Sequence, residues 1–403
     1  MSWIDTTVGE FCPFIYGKGL PKTKRQAGEH PVYGSNGCVD FHNDFYINGP
    51  GIIIGRKGSV GAVHLSTQPF WPIDTAFYVT KGTLGELRFT YYLLKSLGLE
   101  KMNSDSAVPG LNRDNAHALP IRIPELPESR ESLGNQMALL DEKIAANSAV
   151  NQTLEEMAQA IFKSWFVDFD PVKAKMNGEQ PEGMDAATAS LFPEKLVESE
   201  LGLIPEGWDE SALYDIAEYI NGAAYKKFEP NGEGLGLPIV KIAELKSGIS
   251  DKTGFSTVQM PEKYRLDDKD ILFSWSGNPD TSIDTFVWAL GEAWLNQHIF
   301  KVVPKSGVSR CYVLSLLKFM RPVFAEIARD KQTTGLGHVT VKDLQRLKVA
   351  LPPEKLLIKF NEKVDVILAQ NFNLVKQSQT LEKLRDTLLP KLLSGEIELS
   401  AEL

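Results

Sequence analysis

The 403 residues carry 43 Lys and Arg against 52 Asp and Glu, a formal net charge of −9, with 43% hydrophobic and 24% charged residues. This is the composition of ordinary globular protein with room for two or three domains. No apolar run reaches the roughly 20 residues of a membrane helix, no N-terminal stretch has the form of a signal peptide, and Cys12, Cys38 and Cys311 show no metal spacing, so no membrane partner is expected and a cytoplasmic location is.

Residues 1–124 are rich in Gly, β-branched and aromatic residues. GIIIG (51–55), AVHL (62–65) and TAFYV (75–79) predict strands broken by Gly and Pro. A helix is expected over ELRFTYYLLKSLGLE, then a polar loop from Asn103 to Asn115 and a short strand, LPIRIP (119–124). The block is a mixed α/β domain with 12 basic and 10 acidic residues.

Over 125–170 the period changes. Apolar residues at Leu133, Met137, Leu140, Ile144, Leu154, Ala158, Ile161 and Trp165 recur in steps of four and three, with Asn147 and Asn151 in the same stripe. That is the heptad seam of a helix that pairs with another helix. Pro171 ends it. With 3 basic and 9 acidic residues it is the most acidic element, which suits a protein partner better than DNA. Residues 171–207 are polar and poor in pattern, and predict a linker with one short helix.

From 208 the chain starts over. Trp3 to Gly17 matches Trp208 to Gly222, IIIGRKGSVG (52–61) matches ILFSWSGNPD (271–280), and Trp71 to Phe77 matches Trp294 to Phe300. Block 208–350 holds 18 residues of each charge, so both large blocks are near neutral and each has room for a basic face. Over 351–403 a second seam follows, with Val364, Ile367 and Leu374 around Asn371. Met137, Leu140, Ile144, Asn147 and Asn151 are expected to pair with it. The expected class is α+β: two similar α/β domains separated by two long antiparallel coiled-coil helices, a tandem repeat with a pseudo-two-fold axis. Thirty-odd helical residues span roughly 50 Å, a ruler for a bipartite ligand. One heptad added to the first helix should lengthen the distance between the two parts of that ligand, and an unchanged distance rejects the ruler.

Catalytic signals are few. No phosphate loop fits its strand–helix setting. Asn278-Pro279 is followed by Asp280, so it lacks the second proline and aromatic of an amino-methyltransferase site. Glu244-Leu245-Lys246 matches half of a nuclease site, with no acidic residue at a convincing place upstream. The six His form no metal pair, and His298 reads as structural or DNA-facing. Binding signals are better. Lys18, Lys22, Lys24 and Arg25 form a basic run beside Gly17 and Gly19, fit to neutralise phosphates or to remain a solvated loop. Ser35 and Asn36 lie in YGSNG, and Arg56, Lys57 and Ser59 in GRKGS: two β-turns, or loops whose glycines admit a ligand and whose Arg suits guanine. In the second block Lys226 and Lys227 follow Gly222. Ser274, Trp275, Ser276 and Asn278 occupy the position matching GRKGS.

Several motifs in a fixed order resemble the specificity subunit of type I restriction–modification enzymes. They are IYGKGLPK (15–22), PVYGSNG (31–37), GPGIIIGRKGSVG (49–61), FWPIDTAFYV (70–79), LLDEKI (139–144), AIFKSWFVDFDPVKAK (160–175), LFPEKLVESELGLIPEGW (191–208) and LLPKLLSGEIEL (388–399). The resemblance implies that 1–124 and 208–350 are target recognition domains that each read half of a split double-stranded DNA site. It implies that the helices are spacers on which two methyltransferase subunits dock, with two restriction subunits added. S-adenosylmethionine, ATP and Mg would then sit on those partners, and this chain would hold no cofactor or metal and perform no catalysis. A DNA methyltransferase or nuclease with fused recognition domains is the alternative reading, and a coiled-coil adaptor without DNA a third.

Overall fold

A computed structural model describes residues 2–102, 110–332 and 335–397. Residues 103–109 of the expected polar loop, and the last two of the 388–399 motif, lie outside them. The chain forms two compact units, residues 1–146 with 377–403 and residues 147–376.

In the first unit an antiparallel sheet runs in the order Ile15–Tyr16, Ala76–Val79, Gly51–Gly55, Val63–Ser66. The GIIIG strand is apolar throughout because both its faces are covered. Alternation sends Ile52 and Ile54 into one cluster with Phe77, Val79 and Leu87, and Ile53 into another with Phe70 and Tyr78. The Leu84–Ser96 helix covers the first face, capped where Thr83 Oγ1 accepts from the Glu86 N–H at 3.2 Å. A smaller sheet joins Gly37–His42, His30–Gly34 and Trp71–Pro72, the last pair parallel. Trp3–Thr7 pairs antiparallel with Pro120–Pro124, so the block closes on itself just before the first long helix, Pro127–Phe166, begins with a proline at its first position. Leu133, Met137 and Ala138 of that helix share the core with Leu392 of the second long helix, Glu354–Ser394. Asp141 joins three helices: its carboxylate accepts from the Tyr92 hydroxyl at 2.7 Å and from Arg385 Nη1 at 2.6 Å.

The second unit repeats the plan. Its sheet runs Ala217–Asn221, Ile299–Pro304, Ile271–Ser274, Asp284–Val287, the same order of edge, last, central and hairpin strand. Leu237–Val240 and Ala293–Leu295 form the parallel pair of the smaller sheet. Asp209–Ala212 closes on Lys348–Leu351. The glycines of the repeat mark one close approach made twice. A Cβ on Gly17 would stand 2.2 Å from the Ile73 carbonyl oxygen, and one on Gly222 2.1 Å from that of Asn296, so only glycine fits at either place.

Within this unit the two long helices also pair antiparallel. Phe162, Trp165 and Phe166 pack on Phe360, and Asn371 Nδ2 donates to the Asn151 carbonyl oxygen at 3.2 Å. Val364 is buried in the same core with Ile367 against it. Asn147 is 2% exposed, while Leu374 and Asn151 are half-buried, as is Ile144 in the first unit. Residues 171–207 hold more than the linker with one short helix expected. They contain the end of the Asp170–Met176 helix, the Ala186–Ala189 helix and a hairpin, Leu196–Ser199 with Gly202–Pro205. Val172 and Phe192 are buried in the second unit's core. Single buried anchors between polar residues leave no period to read.

Candidate nucleic-acid interface

In each unit a loop leaves the central strand where three elements meet. In the first unit Gly55 ends the strand opposite Ala76, and Arg56 follows. The Arg56 N–H donates to the Thr75 carbonyl at 2.9 Å, and its own carbonyl accepts from the Leu111 N–H at 2.8 Å. Its guanidinium donates from Nη1 to the Asp74 carbonyl at 2.9 Å and lies 5.0 Å from the centre of the Tyr16 ring. Arg113, in the first turn of the Arg113–His117 helix, places its guanidinium 5.0 Å from the same ring. Tyr16 is 46% exposed. Lys57 is exposed beside Gly58, whose φ is +82° and where, among the described residues, nothing lies within 4 Å of a Cβ. Asn36 Oδ1 accepts from Ser59 Oγ at 3.3 Å, tying the two turns together.

The second unit holds the same positions with other side chains. Phe273 pairs with Phe300 as Ile54 pairs with Phe77, so Trp275 stands where Arg56 does. The Trp275 N–H donates to the His298 carbonyl, and its carbonyl accepts from the Val339 N–H at 2.8 Å. The indole N–H donates to Asn221 Oδ1 at 3.1 Å, and Asn221 ends its edge strand as Tyr16 does. His298 and His338 lie 5.2 and 6.0 Å from the indole. Burial, and then the neighbouring His338, hold the His298 imidazole below its ordinary pKa.

Of the other residues singled out, Lys18, Lys22 and Lys24 are exposed, the last two on a one-turn 3-10 helix. Lys18 Nζ lies 5.1 Å over the Tyr46 ring. Lys226 and Lys227 are exposed on the equivalent turn of the second unit. Asn278 is exposed, but its side chain accepts from the Asp280 and Thr281 N–H groups. Four residues are turned inward. Arg25 is 8% exposed at its side chain and is held by Asp40 and by the Leu20 carbonyl. Ser35 is buried, with Oγ donating to the Thr75 carbonyl at 2.5 Å. Ser274 and Ser276 are 0% and 6% exposed, because the strand continues through Ser274 and Ser276–Gly277 pairs with Gly337–His338. Glu244 of the nuclease-like triplet is 4% exposed and accepts from the Lys241 N–H and Thr253 Oγ1, the bonds of a structural carboxylate.

Tyr16, Arg113, Asn221 and His338 were not singled out in the sequence. Arg113 lies far along the chain from Tyr16, and no local pattern links them. Tyr16 and Asn221 each fall one residue before a matched glycine, a signal the repeat did contain. Among the described residues no His, Cys, Asp and Glu cluster is able to hold a metal, and no helix is long and apolar enough to cross a membrane.

The sequence profile described as "Type I restriction modification DNA specificity domain" matches residues 2–156 and 205–377, one stretch in each half of the chain. The chain belongs to this type I specificity family. The relatives agree. The type I restriction enzyme HindI specificity subunit of Haemophilus influenzae is 26% identical over 334 residues, covering 72% of this chain and 71% of the relative. The MjaIX specificity subunit of Methanocaldococcus jannaschii is 27% identical over 327 residues, covering 77% and 68%. Among solved structures, the type I restriction–modification S subunit from M. genitalium shares the fold at a TM-score of 0.60 and 18% identity, covering 99% of this chain and 97% of that one. Two specificity domains in tandem, each with a long helix after it, are the α+β repeat that the spacing predicts.

Proposed function

We propose that this chain is the DNA-reading, non-catalytic subunit of a type I restriction–modification complex, and that each unit reads one half of a split duplex target. The observation that supports this is the pair of equivalent loops. Arg56 and Trp275 leave matching strands, receive the same two backbone bonds, and lean on matching residues. Matched backbones with unmatched hydrogen-bonding side chains suit two different base sequences read by one docking geometry. Lys18, Lys22, Lys24, Lys57, Lys226 and Lys227 would meet phosphates. The long helices would carry two methyltransferase subunits, which bring S-adenosylmethionine, and two restriction subunits would bring ATP and Mg, all in the cytoplasm.

Exchange of residues 1–124 for the matching block of a relative is expected to change one half-site only, read by single-molecule methylation mapping. If both halves changed, the modular reading would fail. The alternative, a methyltransferase or nuclease with fused recognition domains, requires that the isolated chain bind its own cofactor.

A further inference from the structure

We infer that Arg56 reads a guanine in the half-site bound by the first unit, and that Trp275 makes no such contact in the other half. The inference rests on the proposed bipartite reading and adds a base to it. A guanine offers O6 and N7 side by side in the major groove, and a guanidinium answers with two parallel N–H bonds only if its plane is held in place.

Arg56 is held in three ways. Its backbone is fixed at both ends by Thr75 and Leu111. Its Nη1 is tied to the Asp74 carbonyl, which leaves N–H groups on the other nitrogens. Its guanidinium carbon lies 5.0 Å over the centre of the Tyr16 ring, with the Phe77 ring centre 5.9 Å away. Arg113 packs its guanidinium on the same ring, 5.0 Å from its centre. The next residues face outward: Lys57 is exposed, and among the described residues no atom lies within 4 Å of where a Gly58 Cβ would stand. A side chain held this way loses little freedom on binding.

Trp275 has one donor, and Asn221 already takes it at 3.1 Å. A bidentate contact with O6 and N7 is therefore closed to that position. What remains is an apolar ring face flanked by two imidazoles, fit for a thymine methyl or a sugar.

The test uses the full chain assembled with methyltransferase subunits and S-adenosylmethionine, on a randomised duplex library read by methylation mapping. The half-site that follows residues 1–124 on block exchange should contain a G·C pair. Arg56→Gln and Arg56→Lys should each accept other bases at that pair. Methylation of the original site should fall roughly 10- to 100-fold, with the other half unchanged. Arg56→Lys keeps a cation over Tyr16, so it separates base reading from packing and phosphate charge. Full discrimination by Arg56→Lys, a uniform loss without relaxed sequence choice, or a half-site lacking G·C would each overturn the assignment and leave the bipartite reading standing. A parent target without two halves would reject that reading itself.

Discussion

Phe360→Ala is expected to destabilise the second unit by about 3–5 kcal/mol, the range for deleting a buried aromatic ring. Phe360 is 0% exposed on the second long helix. Its ring centre lies 4.8 Å from that of Phe166, 5.8 Å from Trp165 and 6.2 Å from Phe162, all on the first long helix. Phe162 and Phe166 in turn touch Tyr312 of the Arg310–Phe319 helix, at 5.7 and 5.1 Å. The ring is the point where both long helices and the globular block of that unit share one core. Three of its neighbours are large rings in fixed edge or tilted contacts, so they close poorly around a void and the cavity cost persists. Phe360→Leu keeps most of the volume and should cost less than about 1.5–2 kcal/mol. Urea titration followed by tryptophan fluorescence measures both. An Ala variant within 1 kcal/mol of its parent, on the order of ordinary surface changes, would mean that this core is not what holds the helices to the block.

The parts legible in the sequence are those fixed by period and by backbone space. The seam residues Met137 and Val364 repeat every three or four positions because a buried helix stripe must, and the structure buries both. The match of Gly17 with Gly222 was readable because a carbonyl oxygen occupies the place of a side chain at each. The offset between IIIG and ILFS is confirmed by strand register, with Phe77 and Phe300 in the same place. What was not legible was direction. Polar type put Arg25, Ser35, Ser274 and Ser276 on a surface, yet each satisfies a fold-internal bond or sits inside a strand pair. Polar side chains near glycines serve turns as readily as ligands. Tyr16 and Arg113 come together only when the edge strand and the Arg113–His117 helix dock, and that contact has no sequence period. Residues 171–207 were unreadable for a related reason: Val172 and Phe192 are buried one at a time by the tertiary fold.

Asp343→Asn is expected to remove about 2–4 kcal/mol of stability near neutral pH, a loss that is complete above the unfolded carboxyl's pKa and declines as pH falls below it. The carboxylate is 1% exposed and sits at the start of the Val341–Arg346 helix. Lys331 Nζ lies 2.5 and 2.6 Å from its two oxygens, Arg346 Nη2 2.7 Å from one, and Thr340 donates from both N and Oγ1 at 2.7 and 2.6 Å. Burial alone would raise its pKa. The bonds from Lys331, Thr340 and Arg346 outweigh burial and hold the carboxyl well below its ordinary 3.8. A depressed folded pKa contributes stability that is complete above the unfolded value and is lost as pH falls through the folded one. The difference between parent and Asn variant should therefore stay constant from about pH 6 to 8 and shrink below about pH 4. Lys331 and Arg346 are 39% and 75% exposed at their side chains, so both regain water in the variant and the cost stays below that of stranding buried charges. Thermal melts across this pH range decide it; a difference as large at pH 3 as at pH 7 would assign the effect to shape rather than charge. The same carboxylate has a functional consequence. Asp343 anchors Thr340, and the neighbouring Val339 N–H supports the Trp275 carbonyl at 2.8 Å. Loosening that cap should weaken reading of the second half-site while the half read through Arg56 keeps its discrimination, a split that methylation mapping resolves from a general loss of folding.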